Sequence, residues 1–131
     1  MKNFEFKSQV ATTKEQSERL LALGLKKETA DMALVENWDW NEEDGKFFTG
    51  EYFERPIDYV EGLRDKWIPA WSLYRLIELA EVSVEISGLW IKISGAYRYE
   101  EKDNVYDNLI DAIKELIDND VFNKDYLEEK L

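Results

Sequence analysis

The chain of 131 residues contains no cysteine and no histidine. Lack of cysteine excludes disulfides, thiolate metal sites and cysteine nucleophiles, and fits a reducing compartment. Lack of histidine removes the one side chain with an ordinary pKa near neutrality, the commonest metal ligand, and the base of the usual serine or cysteine triads. Long apolar runs are missing too: the uncharged stretches are a few residues long, against about 20 needed to cross a bilayer. Met1-Lys2-Asn3-Phe4-Glu5 offers no apolar core for a signal peptide. These absences lead to the expectation of one globular domain over residues 1–131, in the cytoplasm and without membrane contact.

What is abundant is negative charge. There are 29 acidic against 17 basic residues, for a net charge of −12. Residues 36–61 carry 9 acids and 2 bases, and residues 100–131 carry 11 and 4, so the excess falls in two blocks. Such a field repels phosphates and anionic lipid, and no compensating basic patch is visible, so direct nucleic-acid binding is not expected. Apolar residues at 44% still suffice for a packed interior.

Two overlapping capping boxes, Thr12 with Glu15 and Thr13 with Gln16, precede Leu20, Leu21 and Leu23 and predict a helix near 13–23 closed by Gly24. Val35, Trp38 and Trp40 suggest a strand, Asp44-Gly45 a hairpin turn, and Phe47, Phe48, Tyr52 and Phe53 its partner. Residues 55–66 read as a loop with a short helical turn. A second helix begins with either Pro69 as its first residue or Ser72 as its cap, the latter with a Trp71–Leu76 staple. Its stripe is Leu73, Leu76, Ile77 and Ala80. Residues 82–100 form three strand-length runs separated twice by Ser-Gly, a β-meander. A two-residue turn at Ser87-Gly88 would set Val84 opposite Ile91. The second turn admits two lengths, which place Tyr97 and Tyr99 on opposite faces. Asp103 or Asn104 caps a last helix whose Tyr106, Leu109, Ile113 and Leu116 stripe is expected to cover the meander. The fold class is therefore α+β, a small antiparallel meander packed against about three helices.

The blocks Ala11-Thr12-Thr13-Lys14-Glu15-Gln16-Ser17, Thr29-Ala30-Asp31-Met32, Ile68-Pro69-Ala70-Trp71-Ser72-Leu73 and Tyr106-Asp107-Asn108-Leu109-Ile110-Asp111-Ala112 carry a resemblance. With them the chain resembles small uncharacterised proteins of prophages and mobile elements of Bacteroides-type gut bacteria, over residues 11 to 117. Residues 32–67 have no counterpart in the resemblance and look variable or inserted. It implies a cytoplasmic accessory protein of a mobile element, and brings with it no activity and no functional residue.

Chemistry-bearing patterns are few. Asp39, Asn41, Glu43 and Asp44-Gly45 approach a calcium loop, but counted from Asp39 the glycine falls at the seventh position and Gly50 stands where the twelfth-position glutamate belongs. Asp107 with Asp111 sits on the polar side of its helix, where a solvated face is expected rather than a catalytic pair. No phosphate loop, dinucleotide fingerprint or nucleophile elbow is present, and no cofactor is implied. Five tryptophans remain the unusual feature. Trp38 and Trp40 share one strand face among acids and are the ones expected at the surface. The reading is a non-enzymatic protein-binding factor, contacting a basic protein through Trp38, Trp40, Glu42, Glu43, Asp44, Phe47 and Phe48. An acidic nucleic-acid mimic is the alternative, and a carboxylate enzyme the third.

Overall fold

The computed structural model describes residues 9–61, 67–80, 84–87, 90–93, 96–99 and 104–129. Its architecture is α+β. Helix α1 spans Lys14–Ala22, strand β1 Met32–Asn41, β2 Gly45–Pro56 and β3 Trp67–Ala70. Helix α2 spans Leu73–Ala80, strands β4, β5 and β6 span Val84–Ser87, Trp90–Ile93 and Ala96–Tyr99, and α3 runs Val105–Asp118. Short 3-10 turns occupy Lys27–Thr29, Ile57–Val60 and Lys124–Tyr126.

Of the two capping boxes before α1, Thr13 with Gln16 is the one that forms: each side chain bonds the other's backbone N–H, at 3.2 and 3.0 Å. Thr12 is freed for tertiary work. Gly24, at φ +99°, closes the helix in a Schellman motif: its N–H donates to the Leu21 carbonyl, and the Leu25 N–H donates to that of Leu20. Asn104 caps α3, its side chain accepting from the Tyr106 and Asp107 amides. Asp103 lies outside the described residues.

The Pro69 alternative is corrected. Residues 67–70 form a strand antiparallel to β1, with Met32 opposite Ala70 and Val35 opposite Trp67. Ser72 is the cap of α2, its Oγ accepting from the Arg75 N–H at 3.1 Å. Proline is tolerated here because β3 is an edge strand, where a missing N–H breaks no ladder on its outer side.

The expected meander is present as β4-β5-β6, joined by a second antiparallel sheet ordered β2-β1-β3. Its first register differs by two residues from expectation: Ile86 pairs with Ile91 and Val84 with Ile93, and Ser87, expected in the turn, pairs with Trp90. A shift of two preserves which residues share a face. The second register is the one expected with Tyr97 and Tyr99 on the side of Trp90: Tyr99 stands opposite Trp90 and Tyr97 opposite Lys92.

The principal core lies among the helices, where Leu20, Leu25, Trp71, Leu76, Leu109, Ile110, Ile113 and Leu116 are all at most 2% exposed. The contact expected between α3 and the meander is present at β5, and α3 has further partners among the helices. Tyr106, Leu109, Ile113 and Leu116 are buried in one cluster with residues of α1 and α2, while the helix also touches β5. Among the described residues, no helix is long and apolar enough to cross a membrane.

Candidate functional site

The β2-β1-β3 sheet is covered on both faces near its base and on neither face at its tip. On one face Leu34 packs with Ala11 and Ala70, beside Tyr52 and Ile68; on the other Ala33 and Val35 pack with Val60, beside Phe53 and Trp67. Among the described residues, β3 pairs with β1 over Met32–Val35. Beyond that point every residue of β1 from Asn37 onward is exposed. The distal hairpin is thus a two-stranded arm standing off the domain.

A β-bulge marks where the arm begins. Glu36 pairs with Tyr52 and Trp38 with Phe48, so Asn37 faces three residues, Thr49, Gly50 and Glu51. Gly50 takes φ +82°, which only glycine adopts at little cost, and Thr49 Oγ1 donates to the Asn37 carbonyl at 3.1 Å. Two extra residues keep the alternation of faces intact while bending the ribbon.

The arm's tip turns through Glu42, Glu43 and Asp44. Asn41 Oδ1 accepts from the Asp44 N–H at 2.6 Å, and Gly45, at φ +75°, returns the chain into β2. The ring of Trp40 lies over Gly45, where an added Cβ would stand 3.8 Å away. Pairing of Trp38 with Phe48 and of Trp40 with Lys46 puts these four side chains on one face, with Asp39 and Phe47 on the other. Trp38 is 46%, Trp40 65% and Phe47 38% exposed, while Phe48 is half-buried. Lys46 Nζ lies 4.6 Å from the Trp38 ring centroid and 5.5 Å from that of Phe48. All seven residues singled out from sequence are therefore brought together on this arm, though Phe47 faces away from the tryptophans.

Backbone edges of the arm are partly closed. The N–H of Trp38 donates to Asn37 Oδ1 at 3.1 Å, and that of Trp40 to Asp39 Oδ1 at 2.8 Å. These bonds and the bulge discourage another strand from adding to the ribbon. In the 39–45 segment, Asp39 Oδ1 and Asn41 Oδ1 are engaged by the backbone N–H groups of Trp40 and Asp44. Among the described residues, no group of three or more carboxylates stands in metal-binding proximity.

Comparison with protein-family models, curated proteins and solved structures finds no match to this chain.

The second acidic block behaves differently. Asp107 and Asp111 are not a free solvated face: Arg19 reaches them at 3.5 and 2.6 Å, and Gln16 Nε2 donates to Asp107 at 2.9 Å. They fasten α3 to α1. Asp118 pairs with Lys114 and Asp120 with Lys124, so acids here interleave with bases. A groove of about 650 Å³ opens at the C-terminal ends of α1 and α3, lined by Leu23, Ile117, Phe122 and Leu127 with the Asp120–Lys124 pair at its rim.

Sequence reasoning missed Asn108. It is 1% exposed, and neither of its amide atoms has a hydrogen-bond partner. Its place one residue before Leu109 in a steep amphipathic stripe is the signal that could have pointed inward.

Proposed function

We propose that the protein acts by binding another protein through the β1–β2 arm, as a cytoplasmic accessory factor of the mobile-element kind that the sequence resemblance implies. The observation that carries this reading is the exposure of Trp38, Trp40 and Phe47 on a ribbon that leaves the domain. Isolated exposed aliphatics are ordinary, but large aromatics on a projecting arm contribute nothing to the core and suit an interface centre. Asp39, Glu42, Glu43, Asp44 and Glu51 surround them against one lysine, so the rim favours a basic partner.

The nucleic-acid mimic is favoured less, because a mimic needs continuous rows of unpaired carboxylates. Of the two acidic blocks, the C-terminal one has much of its charge in ion pairs. Quantitative affinity capture from the native host tests the choice. The double variant Trp38→Ala/Trp40→Ala is expected to lose the protein that wild type enriches, with a cooperative melt retained. Charge reversal at Glu42, Glu43 and Asp44 is expected mainly to slow association and flatten its salt dependence. Capture that survives the tryptophan change and fails on charge reversal would favour the mimic, and capture indifferent to both would remove the arm from the function.

A further inference from the structure

The tryptophan face of the arm already holds a cation, and that cation is its own. Lys46 Nζ stands 4.6 Å above Trp38 and 5.5 Å from Phe48, within the range at which a ring's negative face attracts an ammonium. Lys46 reaches that position because it sits opposite Trp40 in the ladder, one alternation from Trp38 and Phe48 on the same face. Its stem is long and exposed, so another rotamer can release the rings. The carboxylates of Asp39, Glu42, Glu43, Asp44 and Glu51 leave the arm with a net negative field even with Lys46 in place. Charge complementarity thus singles out a cationic visitor, and the capped amides of Trp38 and Trp40 direct it to the face rather than the edge.

Resting on the reading of the arm as a contact surface, we propose that the Trp38–Phe48 face recognises a lysine or arginine side chain of a basic protein segment. Lys46 is its internal occupant and competitor. The incoming cation replaces Lys46 over the rings. Lys46 thereby weakens contact with segments that offer charge but no well-placed cation.

The test uses the full chain and a short peptide of alternating glycine with lysine and arginine, titrated at moderate salt and followed by tryptophan fluorescence and calorimetry. Lys46→Met keeps the stem and vacates the rings; Lys27→Met makes the same change of net charge away from the arm. Lys46→Met is expected to tighten binding about two- to fivefold beyond Lys27→Met, the scale of one exposed cation–π contact. Trp38→Leu, which keeps an apolar side chain, is expected to weaken binding by about as much and to abolish the effect of Lys46→Met. A peptide with norleucine in place of its cations is expected not to bind. Equal responses to the two lysine variants, unchanged binding by Trp38→Leu, binding of the norleucine peptide, or no binding of the cationic one would each overturn the proposal. Self-association of the chain at assay concentration, abolished by Lys46→Met, would identify a second copy as the occupant and overturn it as well. If these fail while Trp38→Ala/Trp40→Ala still loses the captured partner, cation recognition falls and the arm reading stands.

Discussion

Thr12 and Trp71 hold each other from both sides: the Thr12 N–H donates to the Trp71 carbonyl at 2.9 Å, and the Trp71 N–H donates to Thr12 Oγ1 at 3.0 Å. Both residues are 0% exposed. The Thr12 hydroxyl also meets Ser17 Oγ at 2.8 Å, and the Trp71 indole N–H donates to Thr29 Oγ1 at 2.9 Å. This knot joins the approach to α1 with the approach to α2. Thr12→Val keeps the shape but strands a buried amide, and is expected to cost about 1–3 kcal/mol in a denaturant melt. Thr12→Ser is expected to recover most of it. Equal stability of wild type and Thr12→Val would show that the Trp71 amide finds another acceptor.

Asn108 presents the reverse case. Burial of an amide with no partner costs stability that an apolar residue of the same branching would not. Asn108→Leu is therefore expected to raise the unfolding free energy by about 1 kcal/mol, helped by leucine's better helix propensity. Isothermal denaturation decides it. A loss instead of a gain would reveal a hydrogen-bonded partner such as a buried water.

Leu116 lies at the floor of the helical core at 2% exposure. Leu116→Ala is expected to destabilise by about 2–5 kcal/mol through lost transfer energy and the cavity left behind. A negligible change in the denaturation midpoint would contradict the packing of α3 against α1 and α2.

Burial pushes the Tyr106 phenol above its ordinary range; the Asp31 and Glu54 carboxylates add to this, and a backbone bond from Leu73 opposes it. Its hydroxyl donates to the Gln9 carbonyl at 3.1 Å. The native state thus holds the phenolic proton more tightly than the unfolded chain. The associated stability is complete below the ordinary tyrosine value near 10 and is lost as pH rises from there through the raised native value. Tyr106→Phe is expected to lower stability at neutral pH by about 1 kcal/mol, for the lost hydrogen bond. It is also expected to shrink the fall in stability above about pH 10. An identical alkaline fall in both proteins would contradict this origin.

Asp120 occupies φ +59° as the closing residue of α3, its N–H donating to the Ile117 carbonyl while Val121 donates to that of Leu116. It plays the part Gly24 plays after α1. Asp120→Gly is expected to stabilise by about 0.5–1 kcal/mol, since glycine bears this backbone angle without steric cost. Thermal melts of Asp120→Gly and Asp120→Ala should move in opposite directions.

Helix caps and stripes are local, so the sequence alone narrowed the caps to Thr12 or Thr13 and to Asp103 or Asn104, and placed Gly24 and the Leu109–Ile113–Leu116 stripe where the structure has them. It likewise put Trp38 and Trp40 on one exposed face, because alternation along a strand among acids needs no knowledge of the rest of the chain. Tertiary structure decided what depended on distant partners. Residues 67–70 became a strand because β1, more than thirty positions earlier, offered a free edge, and a short apolar run has no period of its own to choose between helix and strand. Asp107 and Asp111 became fastenings because Arg19, 88 and 92 residues away, folds against them. The arm itself arose because, among the described residues, β3 pairs with four residues of β1 and the strand is exposed from Asn37 onward; how far a sheet extends over its neighbour is set by pairing between segments, not by either segment's composition.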